Sequence, residues 1–295
     1  MRIRPISVRQ KNKIMRRYLR KAKNLAAAGI SSPKLFSILL SKLPSRLRAE
    51  QYVLSYRERG VPQNETTAPP ANPLRDYFEN HTEGPGIWKW RHYFELYQRH
   101  FSKFVKQSVN VLEIGIYSGG SLDMWRSYFG AGCHIYGVDI ENACKSYENE
   151  HTTVFIGDQA DRGFWKDFRS NTPPIDILID DGGHTPEQQR ITLEEMLPHL
   201  RCGGVYFCED VHGKWNEFAA YASALVDELN HAGDMNEFQN SIHSIHFYPF
   251  CVIIEKHAVV PEKFMAPKHG TQWQPFFDKG KAEQDAAGNG DKRRA

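Results

Sequence analysis

The stretch Ile175-Asp-Ile-Leu-Ile-Asp-Asp-Gly-Gly-His184 decides the fold. A short, mainly apolar run of strand length is followed directly by two carboxylates. A second stretch of the same kind, Gly203-Gly-Val-Tyr-Phe-Cys-Glu-Asp-Val-His212, comes after a segment with a helical pattern. Apolar strands separated by helices are typical of a parallel sheet, which is buried on both faces. Ligands bind beyond the carboxyl ends of such strands, so the two acidic pairs predict a ligand site.

The alternation of strand and helix patterns extends in both directions from this stretch. Strands are predicted at Val109–Ile114, His134–Val138, Thr153–Ile156, Ile175–Ile179, Gly204–Cys208, Ser244–Tyr248 and Val252–Glu255. Helices are predicted at Ser121–Phe129, Pro186–Leu200 and Lys214–His231. The tight connection between the last two strands favours an antiparallel hairpin at the sheet edge. We therefore expect an α/β fold with a Rossmann-like, doubly wound sheet of seven strands, mostly parallel.

Composition excludes several classes of protein. Hydrophobic residues make up 40% of the chain and charged residues 25%, which is ordinary for a globular protein. No apolar run approaches the ~18 to 20 residues of a membrane span. The five cysteines have no close spacing, which argues against a disulfide framework and against a zinc site. A cytoplasmic protein, with the option of peripheral membrane attachment, is the simplest expectation.

The net charge of +3 conceals a basic arm joined to an acidic body. Residues 1–49 hold 14 Lys and Arg and no Asp or Glu, which leaves 24 basic against 35 acidic residues in the remainder. Three interpretations stay open: a solvated arm, attraction to an anionic membrane or other polyanion through residues 1–50, and an organellar transit peptide. No base-reading motif accompanies the charge, so we expect no specific nucleic acid partner. Homo-oligomerisation is left open.

Shifts in composition predict five segments along the chain. They are a basic arm, helical or partly disordered (1–59), a Pro-rich linker (60–73), a helical aromatic-rich segment covering the site (74–108), the α/β domain (109–260) and a polar, disordered tail (261–295). In the aromatic segment, one stripe of residues has helical spacing and predicts core packing: Trp90, Tyr93, Phe94, Tyr97, Phe101 and Phe104. The preceding residues, His81–Trp88, predict a loop within reach of a cavity.

Glycines and acids follow the first three predicted strands. Glu113-x-Gly-x-x-x-Gly-Gly120 is a strand, Gly-rich turn and helix start, but its spacing differs from the G-x-G-x-x-G of dinucleotide sites. Asp139, about 20 residues further on, is placed to accept ribose hydroxyls. Asp158 or Gln159 is placed to meet an adenine edge. Asp161, which precedes two aromatic residues, is predicted to be a helix N-cap.

Together these motifs resemble a known family. V-L-E-I-G-I-Y-S-G-G-S-L, I-Y-G-V-D-I, G-D-Q-A-D, I-D-D-G-G-H and G-G-V-Y-F-C-E-D look like the class I S-adenosylmethionine-dependent methyltransferases. Within that class, they are most similar to the metal-dependent sugar O-methyltransferases of macrolide biosynthesis, the macrocin and mycinamicin type. The likeness covers roughly Trp88–Lys256. The family usually has Ser where this chain has Gly183.

The resemblance implies a cofactor site, a metal site and a base. S-adenosylmethionine would contact Glu113, Gly115, Tyr117, Gly119, Ser121, Asp139, Asp158, Gln159 and Asp180. Mg²⁺ would be held by Asp181, Glu209 and Asp210, since carboxylates are hard oxygen ligands. His184 would be the general base that deprotonates a sugar hydroxyl, and the acceptor would be a sugar-containing small molecule or glycan.

Other functions remain in view. The first is methylation of a catechol or other small diol, the second is a nucleotide-dependent Rossmann oxidoreductase, and the third is a non-catalytic binding module. His212 is either a supporting residue of the site or simply exposed. His243 and His246 are expected to pack or to face solvent on the edge strands.

Overall fold

The computed structural model describes residues 33–58, 70–213, 216–232, 234–262, 264–267 and 269. The chain divides into two units, residues 1–69 and 70–295. In the first unit a single helix is described, α1 (Pro33–Glu58), which contains Pro44. Residues 1–32, most of the linker and nearly all of the tail lie outside the described residues, so the interpretations of these segments stay predictions. Among the helices that are described, none combines the length and apolar content that crossing a membrane would require.

A seven-stranded sheet forms the centre of the second unit. Its strands are β1 (Val109–Ile114), β2 (Cys133–Asp139), β3 (Thr152–Ile156), β4 (Ile175–Asp180), β5 (Leu200–Cys208), β6 (Ile242–Tyr248) and β7 (Cys251–Lys256). They are ordered β3-β2-β1-β4-β5-β7-β6. The first five run parallel, and β7 pairs antiparallel with both β5 and β6. The predicted fold class and its edge hairpin are confirmed.

Helices cover the sheet on both faces. They are α2 (Pro73–Asn80), α3 (Tyr93–Phe101), α4 (Gly120–Phe129), α5 (Arg162–Asn171), α6 (Pro186–Met196), α7 (Glu217–Leu229) and α8 (Glu237–Ser241). Asp161 caps α5 by accepting from the Gly163 amide, as predicted. At α6, Thr185 and Gln188 exchange hydrogen bonds in a capping box, with Pro186 in the first turn. These local signals explain why the two helices begin where they do.

Two apolar cores lie on opposite faces of the sheet. Because side chains alternate along a strand, neighbouring residues of β4 separate, with Ile177 and Ile179 in one core and Leu178 in the other. Aromatic side chains of α3 and α4 fill the first core, including Tyr97 and Trp125. Burial of both faces accounts for the near-continuous apolar character of the central strands.

The boundary between α6 and β5 differs from the prediction. The predicted helix from Pro186 to Leu200 ends at Met196, because Leu200 already pairs with Ile175 as the first residue of β5. The register between β4 and β5 is irregular at this point. Tertiary pairing, which the local pattern does not contain, therefore moved this boundary.

The register places the ends of three strands at one level. Ile114 of β1 pairs with Asp180 of β4, which in turn pairs with Cys208 of β5. The residues that follow these strand ends are consequently neighbours at the carboxyl edge of the sheet. The strand order reverses between β1 and β4, which is where open α/β sheets bind ligands.

Candidate active site

A cavity of about 750 Å³ opens at this carboxyl edge. Among the residues lining it are ten of those predicted from the sequence: Gly115, Tyr117, Ser121, Asp139, Asp158, Gln159, Asp181, His184, Glu209 and Asp210. Glu113, Gly119 and Asp180 do not line the cavity. The structure thus brings most of the predicted site residues together around one cavity, and the other three do not contact it directly.

The glycine turn after β1 forms one end of the cavity. Gly115 has φ +83°, and a Cβ at this position would overlap the backbone carbonyl of Asp181, which directly follows β4. Only glycine allows β1 and β4 to approach so closely here. Asp139, at the end of β2, accepts the Tyr117 amide at 3.0 Å and the Glu141 amide at 3.0 Å. Asp139 therefore ties the turn to β2 while retaining lone pairs for a ligand.

A buried polar network supports the floor of the cavity. The Gln159 amide donates to Asp180 at 3.0 Å, and its oxygen accepts the Gly183 amide at 2.7 Å. Tyr206 donates to the second oxygen of Asp180 at 3.2 Å. Burial raises the pKa of Asp180 to about 6, against the lowering effect of these hydrogen bonds. Asp180 and Gln159 thus position the loop that carries His184.

Three side chains, which we name the cavity cluster, bring ligand atoms within 4.8 Å of one another: Asp181, His184 and Asp210. The His184 Nε2 lies 3.9 Å from Asp181 Oδ1 and 3.6 Å from Asp210 Oδ2. The other oxygen of each carboxylate is held by protein donors: Lys89 on Asp181, and Trp90 and Tyr93 on Asp210. Each carboxylate is therefore oriented through one oxygen and presents the other to His184.

Lys89 is the most prominent residue of the site that the motifs did not reveal. Its ammonium lies 2.7 Å from Asp181, 3.2 Å from Glu113 and 3.3 Å from Glu209, and its side chain is only 3% exposed. Burial by itself would lower the pKa of Lys89, but the three carboxylates raise it well above its usual value. Lys89 is thus a permanent buried cation that neutralises part of the charge of the acidic residues.

Glu209 is arranged differently from the cavity cluster. Its side chain is 1% exposed, both carboxylate oxygens accept from Lys89, and Tyr97 donates to it at 2.5 Å. Burial and the adjacent Glu209 charge raise the pKa of Tyr97, which keeps this hydroxyl protonated as a donor. As the side chains stand, Asp181 and Asp210 are available to a metal, whereas Glu209 would have to give up Lys89 first.

The backbone is strained at the cavity. Tyr117, His184 and Asp210 have φ values of +44°, +55° and +55°. Positive φ is uncommon for residues other than glycine, and such strain concentrates at functional sites. Among the described residues that share this property, three of five line the cavity, so the strain supports a functional role for this edge of the sheet.

The segment before α3 covers the cavity and corrects one prediction. Trp90 was grouped with the core stripe, yet it is 49% exposed, lines the cavity and donates to Asp210 at 2.9 Å. Helix α3 starts only at Tyr93, so Trp90 precedes the helical periodicity on which the grouping relied. Trp88, 86% exposed, also lines the cavity. The signal for Lys89 in the sequence was a lone charge between these two tryptophans.

His212 lies at the rim. It lines the cavity, is exposed, and its ring packs edge-on against Phe250 at 5.7 Å. Both interpretations of this residue therefore remain compatible with its position.

Comparison with known proteins agrees with the fold and with the motifs. Residues 112–211 match the family described as "Methyltransferase domain". The chain is 42% identical over 164 residues to demethylmacrocin O-methyltransferase of Streptomyces fradiae, covering 52% of this chain and 41% of the relative. It is 33% identical over 189 residues to mycinamicin VI 2''-O-methyltransferase of Micromonospora griseorubida, covering 54% and 47%. The chain spans about half the length of the curated relatives it matches.

A solved structure adds a likeness in three dimensions. The MycE methyltransferase from the mycinamycin biosynthetic pathway, in complex with Mg, SAH and mycinamycin VI, superposes with a TM-score of 0.56 at 26% identity. The likeness covers 72% of this chain and 58% of that chain. The resemblance seen in the sequence is therefore confirmed for residues 112–211, which match a methyltransferase domain. The two curated relatives are O-methyltransferases.

Proposed function

We propose that this chain is an S-adenosylmethionine-dependent, Mg²⁺-dependent O-methyltransferase that acts on a sugar hydroxyl. The observation that carries the proposal is the shared cavity, in which the glycine turn after β1 and the cavity cluster after β4 and β5 face the same space. A methyl donor at the turn and an acceptor at the cluster would be neighbours there.

The cofactor would occupy the side of the cavity formed by β1, β2 and β3. Asp139 would accept the ribose hydroxyls, as an acid at the end of the second strand does in related folds. Asp158 is exposed in the cavity and would meet the adenine. Glu113 is fully buried and would act through its hydrogen bonds with Lys89 and Ser121, which support the floor below the cofactor.

The metal would be held by the two carboxylates of the cavity cluster. Asp181 and Asp210 offer free oxygens of the hard type that Mg²⁺ prefers, and His184, a softer ligand that Mg²⁺ does not favour, would stay unbound beside the metal. Glu209 would join them only if Lys89 withdrew from it. The donor set therefore fits Mg²⁺, with positions left for water and for acceptor oxygens.

His184 would be the general base. Its Nε2 faces the two carboxylates, and its Nδ1 is buried without a hydrogen-bond partner among the described residues. When bound, S-adenosylmethionine supplies an electrophilic methyl group and Mg²⁺ lowers the pKa of the acceptor hydroxyl. His184 would take that proton at Nε2, and the neighbouring carboxylates would stabilise the imidazolium that forms.

Exposed aromatic side chains favour a sugar acceptor. Trp88 and Trp90 present apolar faces at the mouth of the cavity, and Phe250 packs against Trp90 at 5.5 Å. Exposed apolar surface around a cleft marks a binding site, and an aromatic face suits the C–H face of a sugar ring. The curated relatives named above are O-methyltransferases, which agrees with transfer to a hydroxyl group.

The proposal is tested by measuring binding and turnover with the full chain. Calorimetry with S-adenosylhomocysteine should show binding, and release of S-adenosylhomocysteine from S-adenosylmethionine should follow addition of an acceptor and Mg²⁺. The acceptor panel would contain demethylmacrocin, mycinamicin VI, simple glycosides and catechols. Failure to bind S-adenosylhomocysteine contradicts the proposal, and so does turnover that survives EDTA.

Matched variants connect the result with the site. His184→Asn should reduce turnover by about 10²- to 10⁴-fold, as expected for loss of a general base. Asp167→Asn, on the exposed face of α5, removes a carboxylate far from the cavity and should leave turnover unchanged. If the methyl group is transferred only to catechols, the proposed sugar acceptor is wrong and the acceptor is a small diol.

A further inference from the structure

A second group of metal-ligating side chains lies outside the cavity. His100 at the end of α3, His246 on β6 and Glu255 on β7 bring one ligand atom each within 4.8 Å of one another. We name these three residues the edge cluster, because β6 and β7 form the antiparallel edge of the sheet. None of them lines the cavity.

The spacing in the edge cluster suits a small tetrahedral ion. His100 Nδ1 lies 3.2 Å from Glu255 Oε1, and His246 Nε2 lies 3.8 Å from Glu255 Oε2. Ligands that bind Zn²⁺ at ~2.0 to 2.2 Å in a tetrahedron are about 3.3 to 3.6 Å apart. Each observed separation is close to this range, but the two histidines face different oxygens of Glu255. An ion therefore fits if the carboxylate rotates and if the Ser244 hydroxyl, 2.9 Å from His246 Nε2, turns away.

The least exposed residue of the edge cluster, His100, is held in a fixed orientation. The His100 side chain is 4% exposed, and its second ring nitrogen, Nε2, lies 3.2 Å from the Tyr248 hydroxyl. Histidines that bind metals usually donate their other N–H to such a partner, which fixes the ring and the tautomer.

We propose that the edge cluster is a zinc site, with His100 Nδ1, His246 Nε2 and a Glu255 oxygen as ligands and water in the fourth position. Two imidazoles and one carboxylate suit a borderline ion such as Zn²⁺ better than Mg²⁺, which prefers oxygen ligands. The site lacks cysteine, which explains why the cysteine spacing in the sequence gave no indication of zinc.

Zinc at this position would fasten a helix that also supports the cavity. Tyr93, Tyr97 and His100 are spaced four and three residues apart and share one face of α3. Tyr93 donates to Asp210, and Tyr97 donates to Glu209. An ion bound by His100 on the helix and by both edge strands would therefore hold the two tyrosines in position.

One cation opposes metal binding at the edge cluster. The Lys103 ammonium lies 3.3 Å from Glu255 Oε1, and its side chain is 46% exposed. The flexible lysine stem allows the ammonium to move into solvent when an ion binds. Replacing Lys103 with an uncharged residue should therefore strengthen zinc binding.

The test is a titration of the full chain, stripped of metal by a chelator and kept in excess Mg²⁺ so that hard-ligand sites are filled. Calorimetry should show a single zinc ion bound per chain, and Co²⁺ in its place should give the visible absorption of tetrahedral coordination. His246→Gln and Glu255→Gln should each weaken zinc binding by more than the about 10- to 100-fold typical of losing a supporting residue. Lys103→Met should strengthen it.

The controls separate this site from other histidines and from misfolding. His243→Gln removes an exposed histidine of the same strand that lies outside the cluster, and it should leave zinc affinity unchanged. Circular dichroism and thermal unfolding of the metal-free variants verify the fold, and His246, which is partly exposed, is the replacement least prone to disturb it. The proposal is overturned if the wild type binds no zinc, or if His246→Gln and His243→Gln bind it equally.

Discussion

The cavity cluster and the edge cluster use the same side-chain types in opposite proportions. The first has two aspartates and one histidine, whereas the second has two histidines and one glutamate. Hard carboxylate oxygens favour Mg²⁺ and imidazoles favour Zn²⁺, so the proportions predict different ions. The first cluster also opens into a cavity with a glycine turn and strained residues, and the second joins a helix to a hairpin. On our two proposals, similar residues would serve catalysis in the cavity cluster and would hold a helix to a hairpin in the edge cluster.

Each cluster also has a lysine beside it, and the two lysines differ in burial. Lys89 is enclosed by three carboxylates, whereas Lys103 contacts Glu255 from a half-exposed position. A buried cation cannot be exchanged for water without leaving charges unpaired, but an exposed one can. We therefore expect the folded structure to depend on Lys89, whereas the Lys103 ammonium can move away from Glu255.

The largest expected effect separates the clusters by activity. Asp181→Asn removes an oxygen ligand of the cavity cluster and should lower methyl transfer by about 10³-fold, which corresponds to the several kcal/mol that a metal supplies. Glu255→Gln, the matched change in the edge cluster, should stay within a few-fold of wild type. Release of S-adenosylhomocysteine measures both. Equal losses in the two variants would show that the clusters do not have separate roles.

The second prediction compares the two lysines by stability. Lys89→Met leaves three carboxylates, of which Glu113 and Glu209 are buried, without their cation and should cost about 3 to 5 kcal/mol in the free energy of unfolding. Lys103→Met loses only a partly exposed pair and should cost about 0 to 1 kcal/mol. Urea denaturation in the absence of metal measures both values. A Lys89 variant as stable as the Lys103 variant would contradict the role assigned to the buried ammonium.

A smaller effect is expected for the hydroxyls that orient each cluster. Tyr97→Phe leaves the buried Glu209 with one donor fewer and should cost about 1 to 3 kcal/mol in the free energy of unfolding. Tyr248→Phe removes a hydroxyl from a partly exposed position beside His100 and should cost about 0.5 to 1.5 kcal/mol. Urea denaturation measures both changes. A larger loss in Tyr248→Phe than in Tyr97→Phe would contradict the expectation that the hydrogen bond to the buried Glu209 contributes more to stability.

The smallest predicted effect is a pH dependence of the edge cluster. The hydrogen bond from His100 and the nearby Lys103 lower the pKa of Glu255 from 4.5 to about 2. A depressed carboxylate pKa contributes stability that is present above the unfolded value and is lost as the pH falls from about 4.5 towards 2. The carboxylate is half-buried, so the contribution is about 1 kcal/mol after allowing for solvent screening.

This dependence is measured as the difference between wild type and Glu255→Gln in urea unfolding without metal. The wild type should be the more stable at pH 6, and the difference should shrink towards pH 3. A difference that stays constant over this range would show that Glu255 is not held in its ionised form.

The sequence predicted those parts of the fold that depend on local pattern. Apolar runs identified all seven strands of the sheet, and Thr185 and Asp161 identified helix starts, because caps and strand patterns are short-range signals. Residues that follow directly on strands, such as Asp181 and Asp210, could be placed at one edge for the same reason. The end of α6 could not be predicted from the local pattern, because the pairing between β4 and β5 determines it.

The hydrogen-bond partners of Asp181, Asp210 and Glu255 could not be predicted, because these partners come from distant parts of the chain. Lys89 lies 92 residues before Asp181, and Trp90 lies 120 residues before Asp210. His100 lies 155 residues before Glu255, and nothing in the spacing of either residue indicates a pair. Only the packing of α3 and its preceding loop against the sheet brings these side chains together.

The most direct test of the difference between the clusters is a titration with Mn²⁺, which prefers the same oxygen ligands as Mg²⁺ and is visible by electron paramagnetic resonance. The full chain, Asp181→Asn and Glu255→Gln would be compared with S-adenosylhomocysteine present. We predict a single Mn²⁺ bound per chain in the wild type and in Glu255→Gln, and affinity at least about tenfold weaker in Asp181→Asn. Unchanged Mn²⁺ affinity in Asp181→Asn, or its loss in Glu255→Gln, would contradict the assignment of the hard-metal site to the cavity.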